Sequence, residues 1–140
     1  MADLPHDLQH LGLQPHPEGG WYRETHRSAH CTVIDFVLLP GERSALHRVA
    51  DRDEVWVHHL GGPLRLHLLV DGVASSVVLD AGRASAVVPP GVWQGAEPLT
   101  DAWVWVSCIV APPFAFDAFE LAPPDMAVPA AVTHLLPGAR

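Results

Sequence analysis

From Trp21 onward the chain is cut at short intervals by turn-forming clusters, and this punctuation limits the fold more than any other feature of the sequence. Pro40-Gly41, Gly61-Gly62-Pro63, Asp71-Gly72, Asp80-Ala81-Gly82, Pro89-Pro90-Gly91 and Pro112-Pro113 separate runs rich in Val, Leu, Ile and Trp. Glycine admits left-handed backbone and proline removes an amide donor, so long helices do not survive such spacing. The runs at 21–27, 32–39, 45–49, 54–60, 64–70, 73–79, 85–88 and 103–110 have the length and composition of strands. Asp71-Gly72 between two apolar runs predicts a tight hairpin. A helix is expected only at 4–11, ahead of Gly12 and the breakers Pro15, Pro17, Gly19 and Gly20. Short strands without helical spacers predict an all-β sandwich or closed barrel, with a double-sheet barrel the best fit. The Pro/Ala-rich stretch 112–140 is expected to wrap over that barrel, anchored by Phe114, Phe116, Phe119 and Leu121.

Composition decides domain count and excludes some partners. With 140 residues and 49% hydrophobic character, the chain builds one domain, 1–140, around one core. Its net charge of −8 sets 16 acidic residues against eight arginines and no lysine, which removes the phosphate-neutralising surface a nucleic-acid binder needs. No apolar stretch approaches the ~20 residues of a membrane helix, so no membrane partner is expected. The opening residues lack the basic flank and apolar run of a secretory leader, and a cytoplasmic location is expected. Cys31 and Cys108 both sit in apolar runs and are expected to be free, buried thiols.

Of ten histidines, most lack metal-ligand spacing. His6, His10, His16 and His134 lie towards the ends of the chain and are expected in solvent. His47 and Glu54 differ. Strand alternation gives His47 and Val49 one face, and Glu54, Trp56 and His58 another; if both strands line a barrel, His47 and Glu54 converge inside it. A carboxylate beside an imidazole orients it and favours its charged form, the constellation for proton transfer near neutral pH. Trp56 and Trp93 would wall a pocket in which Gln94 offers one amide, a mixture suited to a small polar ligand. In 21–27, alternation sets Trp21, Arg23, Thr25 and Arg27 against Tyr22, Glu24 and His26. Either set could face inward, and an inward Arg23, with Thr25 beside it, would meet a ligand anion.

The run from Gly41 through His47 and Glu54 to Gly61 resembles the first cupin signature, with Val49 where a second histidine is usual. Pro90-Gly91-Val92-Trp93-Gln94 resembles the second, with Gln94 in the histidine's place. Further stretches narrow the resemblance: 11–28 with Glu18-Gly19-Gly20-Trp21-Tyr22-Arg23, 44–49, 53–56, 62–64, 88–96 and 114–121. Over about residues 11–124 the chain resembles the short single-domain cupin family often labelled cupin five, a domain of unknown function.

The resemblance implies a single-domain cupin double-stranded β-helix, a jelly-roll barrel related in shape to sugar-nucleotide epimerases, and a homodimer. A usual cupin metal site holds three imidazoles and one carboxylate, and losing two of the imidazoles weakens it. No cofactor is therefore expected. The leading expectation is a metal-independent protein that binds a small polar metabolite, such as a sugar, sugar nucleotide or related carbonyl compound, and isomerises or epimerises it. His47 would act as base or acid, oriented by Glu54, with Gln94 bonded to the substrate. The alternatives are a non-catalytic metabolite-binding module and a metal-dependent cupin enzyme that binds a divalent metal through His47, Glu54 and His58.

Overall fold

A computed structural model describes residues 3–139. Among these residues, eleven strands form two antiparallel sheets. They are β1 (Gln14–Pro15), β2 (Trp21–Arg27), β3 (Thr32–Leu38), β4 (Ser44–Val49), β5 (Asp53–Gly61), β6 (Leu64–Val70), β7 (Val73–Leu79), β8 (Ser85–Val88), β9 (Trp93–Pro98), β10 (Val104–Ala111) and β11 (Phe119–Leu121). One sheet runs β1-β2-β3-β10-β5-β8 and the other β11-β4-β9-β6-β7. Neighbours distant in sequence, such as β3 with β10 and β4 with β9, make the double-stranded β-helix of the jelly roll. The short runs between glycine and proline turns thus become an all-β barrel, as the punctuation predicts. No helix among the described residues is long and apolar enough to cross a membrane.

The Asp71-Gly72 hairpin shows how local chemistry sets register. Both residues have positive φ, 49° and 77°, and Val70 pairs directly with Val73 across them. That two-residue connection matches the right-handed twist of its strands.

The barrel core joins inward residues of both sheets, among them Phe36, Leu38, Trp56, Leu64, Leu66, Leu79, Val104 and Val106. Each outer face is covered by an end of the chain. The expected N-terminal helix is a 3₁₀ turn, His6–Leu11, whose Leu8 and Leu11 pack with Val37 and Leu39 against the six-stranded sheet. The C-terminal wrap is more ordered than an extended strap: it adds β11, which pairs with β4, and a 3₁₀ turn, Ala130–Leu135. Val132, Leu135 and Leu136 of that segment cover Leu46 on the outer face of β4.

The sequence pattern does not predict β9. Its run Gln94-Gly95-Ala96-Glu97-Pro98 has poor strand propensity, yet it lies centrally, between β4 and β6. Partners on both sides satisfy its backbone, so tertiary context overrides local preference. Gly95 fits closely there: a Cβ would lie 3.0 Å from the Ser44 carbonyl oxygen and 3.2 Å from Leu135, so a larger residue presses its neighbours by a few tenths of an ångström. Both cysteines are free, Cys108 buried and Cys31 half-buried.

Candidate functional site

One cavity, about 290 Å³ in volume, opens between the sheets. His47 and Val49 reach it from β4, Glu54 from β5, Cys108 and Val110 from β10, and Thr32 and Ile34 from β3. Alternation along β4 and β5 therefore does bring His47 and Glu54 to the same interior. Two further ionisable side chains, His16 and Glu18, come from the loop before β2.

That loop owes its shape to its glycines. Gly19 and Gly20 have φ of 105° and 77°. A Cβ on Gly19 would stand 2.2 Å from the Arg43 carbonyl oxygen, so only glycine allows the backbone this close. The approach lets the Ala45 amide donate to the Glu18 carbonyl at 2.7 Å, and the Ser44 hydroxyl donates to the Glu18 carboxyl group. Glu18 Oε2 lies 3.3 Å from His47 Nδ1, and Glu18 Oε1 lies 3.3 Å from His16 Nδ1.

The hydrogen bonds also assign the tautomers. His47 Nδ1 meets the Ala45 carbonyl oxygen at 2.8 Å; a carbonyl only accepts, so Nδ1 carries the proton and Nε2 keeps its lone pair. His16 Nδ1 accepts from the Glu18 amide at 3.1 Å, which places its proton on Nε2.

Glu54 is held from behind. Gln94 Nε2 donates to Glu54 Oε1 at 2.9 Å, and Trp56 Nε1 donates to Gln94 Oε1 at 2.8 Å. Gln94 and Trp56 are each 1% exposed and stand outside the cavity lining, so they position the carboxyl group rather than face a ligand. The imidazole of His47 is oriented by Ala45 and Glu18, not by Glu54 as the sequence suggests.

Burial dominates the electrostatics. It lowers His47 to about 4, against the raising effect of the Ala45 hydrogen bond. Burial, with the neighbouring His47, lowers His16 to about 3. Burial and the nearby Glu54 raise Glu18 well above the usual carboxylate range. Burial raises Glu54 to about 7, partly offset by hydrogen bonds from Gln94 and Cys108. At neutral pH the two imidazoles are uncharged and Glu54 is poised near its midpoint, while burial favours the neutral form of Glu18. The expected charged imidazolium of His47 is disfavoured, because the carboxyl group beside it, Glu18, is itself pushed toward its neutral form by burial and does not offset the desolvation.

These directions set a stability profile. The depressed His16 and His47 contribute stability that is lost as pH falls from 6.5 through about 3 and about 4 respectively. The raised Glu54 contributes stability that is lost as pH rises from 4.5 through about 7, and Glu18 extends that loss upward. The opposing slopes leave thermal stability nearly flat between 4.5 and 6.5, falling on either side. A melting temperature that climbs steadily from pH 6.5 to pH 8.5 in calorimetry contradicts this assignment.

The rim is formed by β2 and the C-terminal segment. Thr25 is an extra residue in the β2–β3 pairing, which runs Glu24 to Ile34 and then His26 to Val33. The bulge resets the alternation, so Tyr22, Glu24 and Arg27 line the cavity. Arg23 points to the Leu11 carbonyl at 3.4 Å and Thr25 donates to the Val33 carbonyl at 3.2 Å, both away from the cavity. Arg27 pairs with Glu24 at 2.7 Å and donates to the Phe114 carbonyl at 3.1 Å. Phe114, Phe116 and Phe119 complete the mouth, and Phe116 is 57% exposed there rather than buried as an anchor.

Other sequence candidates lie elsewhere. Trp93 faces outward, its ring 4.4 Å from the Arg48 guanidinium, because β9 turns Gln94 inward. His58 Nε2 bonds to the Gly62 carbonyl oxygen at 2.8 Å and does not reach the cavity, which removes it from a ligand set with His47 and Glu54. His16, expected in solvent, is in the cavity with only 5% of its side chain exposed. The signal for it was the pair His16 and Glu18 directly before two glycines, a spacing that a freely solvated loop does not require.

The cupin fold implies a metal at the barrel centre, and the residues present there do not suit one. Among the described residues, no three donor atoms of the cavity histidines, carboxylates and Cys108 lie within 4.8 Å of one another. Gln94, at the usual histidine position, spends its amide on Glu54 and Trp56.

Two sheets rolled into a jelly roll around an interior His/Glu cavity define a cupin-fold protein. The Cupin superfamily (DUF985) family model matches residues 7–122, and the chain belongs to that family. A hypothetical protein from Leishmania major is 32% identical, with 84% of this chain and 85% of that one covered and a TM-score of 0.75. A Shewanella oneidensis protein is 30% identical over 100% of both chains, with a TM-score of 0.84. Lactobacillus farciminis oxalate decarboxylase, solved as a formate complex, is 13% identical; 81% of this chain covers 34% of that one with a TM-score of 0.66, a likeness of fold. KdgF from a Halomonas species is 17% identical, with coverage of 75% and 90% and a TM-score of 0.59, again a likeness of fold. No functionally curated protein matches the sequence.

Proposed function

We propose that the cavity binds a small polar carbonyl metabolite, of the sugar or sugar-nucleotide kind, and moves a proton at the carbon next to its carbonyl group without a metal. The observation that carries this reading is the placement of two buried carboxyl groups in one cavity with His47, Glu18 3.3 Å from its Nδ1 and Glu54 held at 2.9 Å by Gln94; burial raises both carboxyl groups, Glu54 to about 7. A base works best when its pKa lies close to the working pH, and a neutral carboxylic acid donates a hydrogen bond to a developing enolate.

The roles divide differently from those suggested by the sequence. Glu54 as carboxylate takes the α-proton, and the electron pair of the C–H bond moves to the carbonyl oxygen. Glu18 donates its O–H proton to that oxygen and recovers one from the neighbouring hydroxyl group, and transfer of the proton held by Glu54 to the former carbonyl carbon completes an aldose–ketose isomerisation. His47, neutral and with Nε2 free, accepts a hydrogen bond from a substrate hydroxyl. Phe114, Phe116 and Phe119 exclude water at the mouth and offer flat apolar surfaces to a sugar ring or base.

Deuterium exchange tests the chemistry without knowledge of the product. Incubated in deuterium oxide with a panel of aldoses, ketoses and sugar nucleotides, the protein is expected to exchange the α-proton of at least one compound, read by proton NMR. A compound retained by the protein in native mass spectrometry but never exchanged assigns the same cavity to a binding module. No exchange and no retention across the panel removes the proposal.

A further inference from the structure

We propose a second, separate site: His67, Glu97 and His134 hold one divalent transition-metal ion, with zinc the best match to the donor set. His67 Nε2 and His134 Nε2 converge on the same oxygen, Glu97 Oε2, at 2.7 and 2.6 Å. Among the described residues this is the one group of three such side chains whose donor atoms lie within 4.8 Å of one another.

Three distant segments build it on the outer face of the barrel, away from the cavity. In β6, Leu64 and Leu66 point into the core and His67 points outward, yet it is only 7% exposed because the C-terminal segment lies over it. Glu97 is on the neighbouring β9, where His67 pairs with Gly95 and Arg65 with Glu97, so His67 and Glu97 are diagonal neighbours on one face. His134 is delivered by the turn Ala130–Leu135, which is fixed by the fully buried Val132 and Leu135. Arg65, which pairs across from Glu97, donates to the Ser76 hydroxyl at 2.8 Å.

The donor set is that of a zinc site with an open position. Zinc takes imidazole nitrogen and carboxylate oxygen at ~2.0–2.2 Å in tetrahedral geometry, which sets ligand atoms roughly 3.3 Å apart. Admitting the ion therefore opens the existing contacts by roughly half an ångström. His134, with 44% of its side chain exposed, can make that adjustment, and its exposed side leaves room for water as fourth ligand. The ion replaces the ring protons that now bridge to Glu97 and fastens the C-terminal turn to the sheet.

The test uses full-length protein freed of any polyhistidine tag and of metal, titrated with zinc chloride by calorimetry and with cobalt(II) by visible absorption. One equivalent of zinc, a tetrahedral cobalt spectrum and a zinc-dependent rise in melting temperature are expected. His134→Ala and Glu97→Gln should each weaken zinc binding at least ~10-fold while the metal-free fold is kept. His47→Gln, in the barrel cavity, should leave zinc binding unchanged. Absence of saturable binding, binding that survives both outer-face substitutions, or binding lost with His47→Gln overturns the proposal.

Discussion

Replacing Glu54 by glutamine should remove α-proton exchange while making the protein more stable at alkaline pH. The substitution keeps shape, and the new amide oxygen can still accept from Gln94 Nε2, now 2.9 Å from Glu54. It removes the one carboxyl group in the cavity that is raised to about 7, close to working pH. Loss of a positioned general base costs roughly 10²–10⁴-fold in rate. In the unsubstituted protein, kcat/KM should rise with pH through about 7 as Glu54 ionises, and level off above it. Stability moves the other way, because an ionised, buried Glu54 opposes folding above its raised pKa and glutamine does not. Exchange rates by NMR and melting temperatures at pH 8 read both effects on one sample. A Glu54→Gln protein that still exchanges at the original rate takes Glu54 out of the chemistry. One that melts lower at pH 8 shows the carboxylate to be a net stabiliser there.

The second large effect is expected far from any reacting atom. Gly19→Ala puts a Cβ 2.2 Å from the Arg43 carbonyl oxygen at a backbone position with φ of 105°. Backbone strain of this kind costs ~1–3 kcal/mol alone, and the clash with a main-chain oxygen adds to it, for a total of roughly 3 kcal/mol or more. The loop can relieve the clash only by moving off β4, which breaks the hydrogen bond from the Ala45 amide to Glu18 and withdraws Glu18 and His16 from the cavity. Denaturant unfolding should show the lost stability, and ligand retention should fall with it. Gly41→Ala is the matched control: φ there is 82°, but nothing lies within 4 Å of the added carbon, so the steric part is absent. Equal losses at the two positions would show that close approach of the loop to β4 contributes nothing.

Both experiments bear on how much of the site is legible before the fold is known. His47 and Glu54 could be found, because each lies on a strand flanked by turns that fix its phase, and alternation carries a side chain inward or outward by counting. Counting failed in β2, where the extra residue Thr25 shifts the phase and puts Arg27, not Arg23, on the cavity wall. A bulge arises from the pairing of two strands and leaves no mark in either strand alone. Trp93 and Gln94 failed for a related reason. Their strand, β9, has little propensity of its own and exists because β4 and β6 supply partners on both sides.

The sequence alone determined what depends on a few adjacent bonds. Its glycines and prolines set where strands stop, Asp71-Gly72 set a hairpin, and apolar alternation made an all-β barrel the economical way to bury the core. Its cupin-like spacing placed one histidine and one carboxylate inside that barrel. The tertiary structure decided what depends on distance through space. It brought Glu18 to His47 across 29 positions of chain, set His134 beside His67 and Glu97, and chose which carboxyl group holds its proton. The reason is physical: backbone preference acts locally, whereas desolvation and hydrogen bonding depend on every group packed around a side chain, and those groups come from strands that the chain brings together only when it folds.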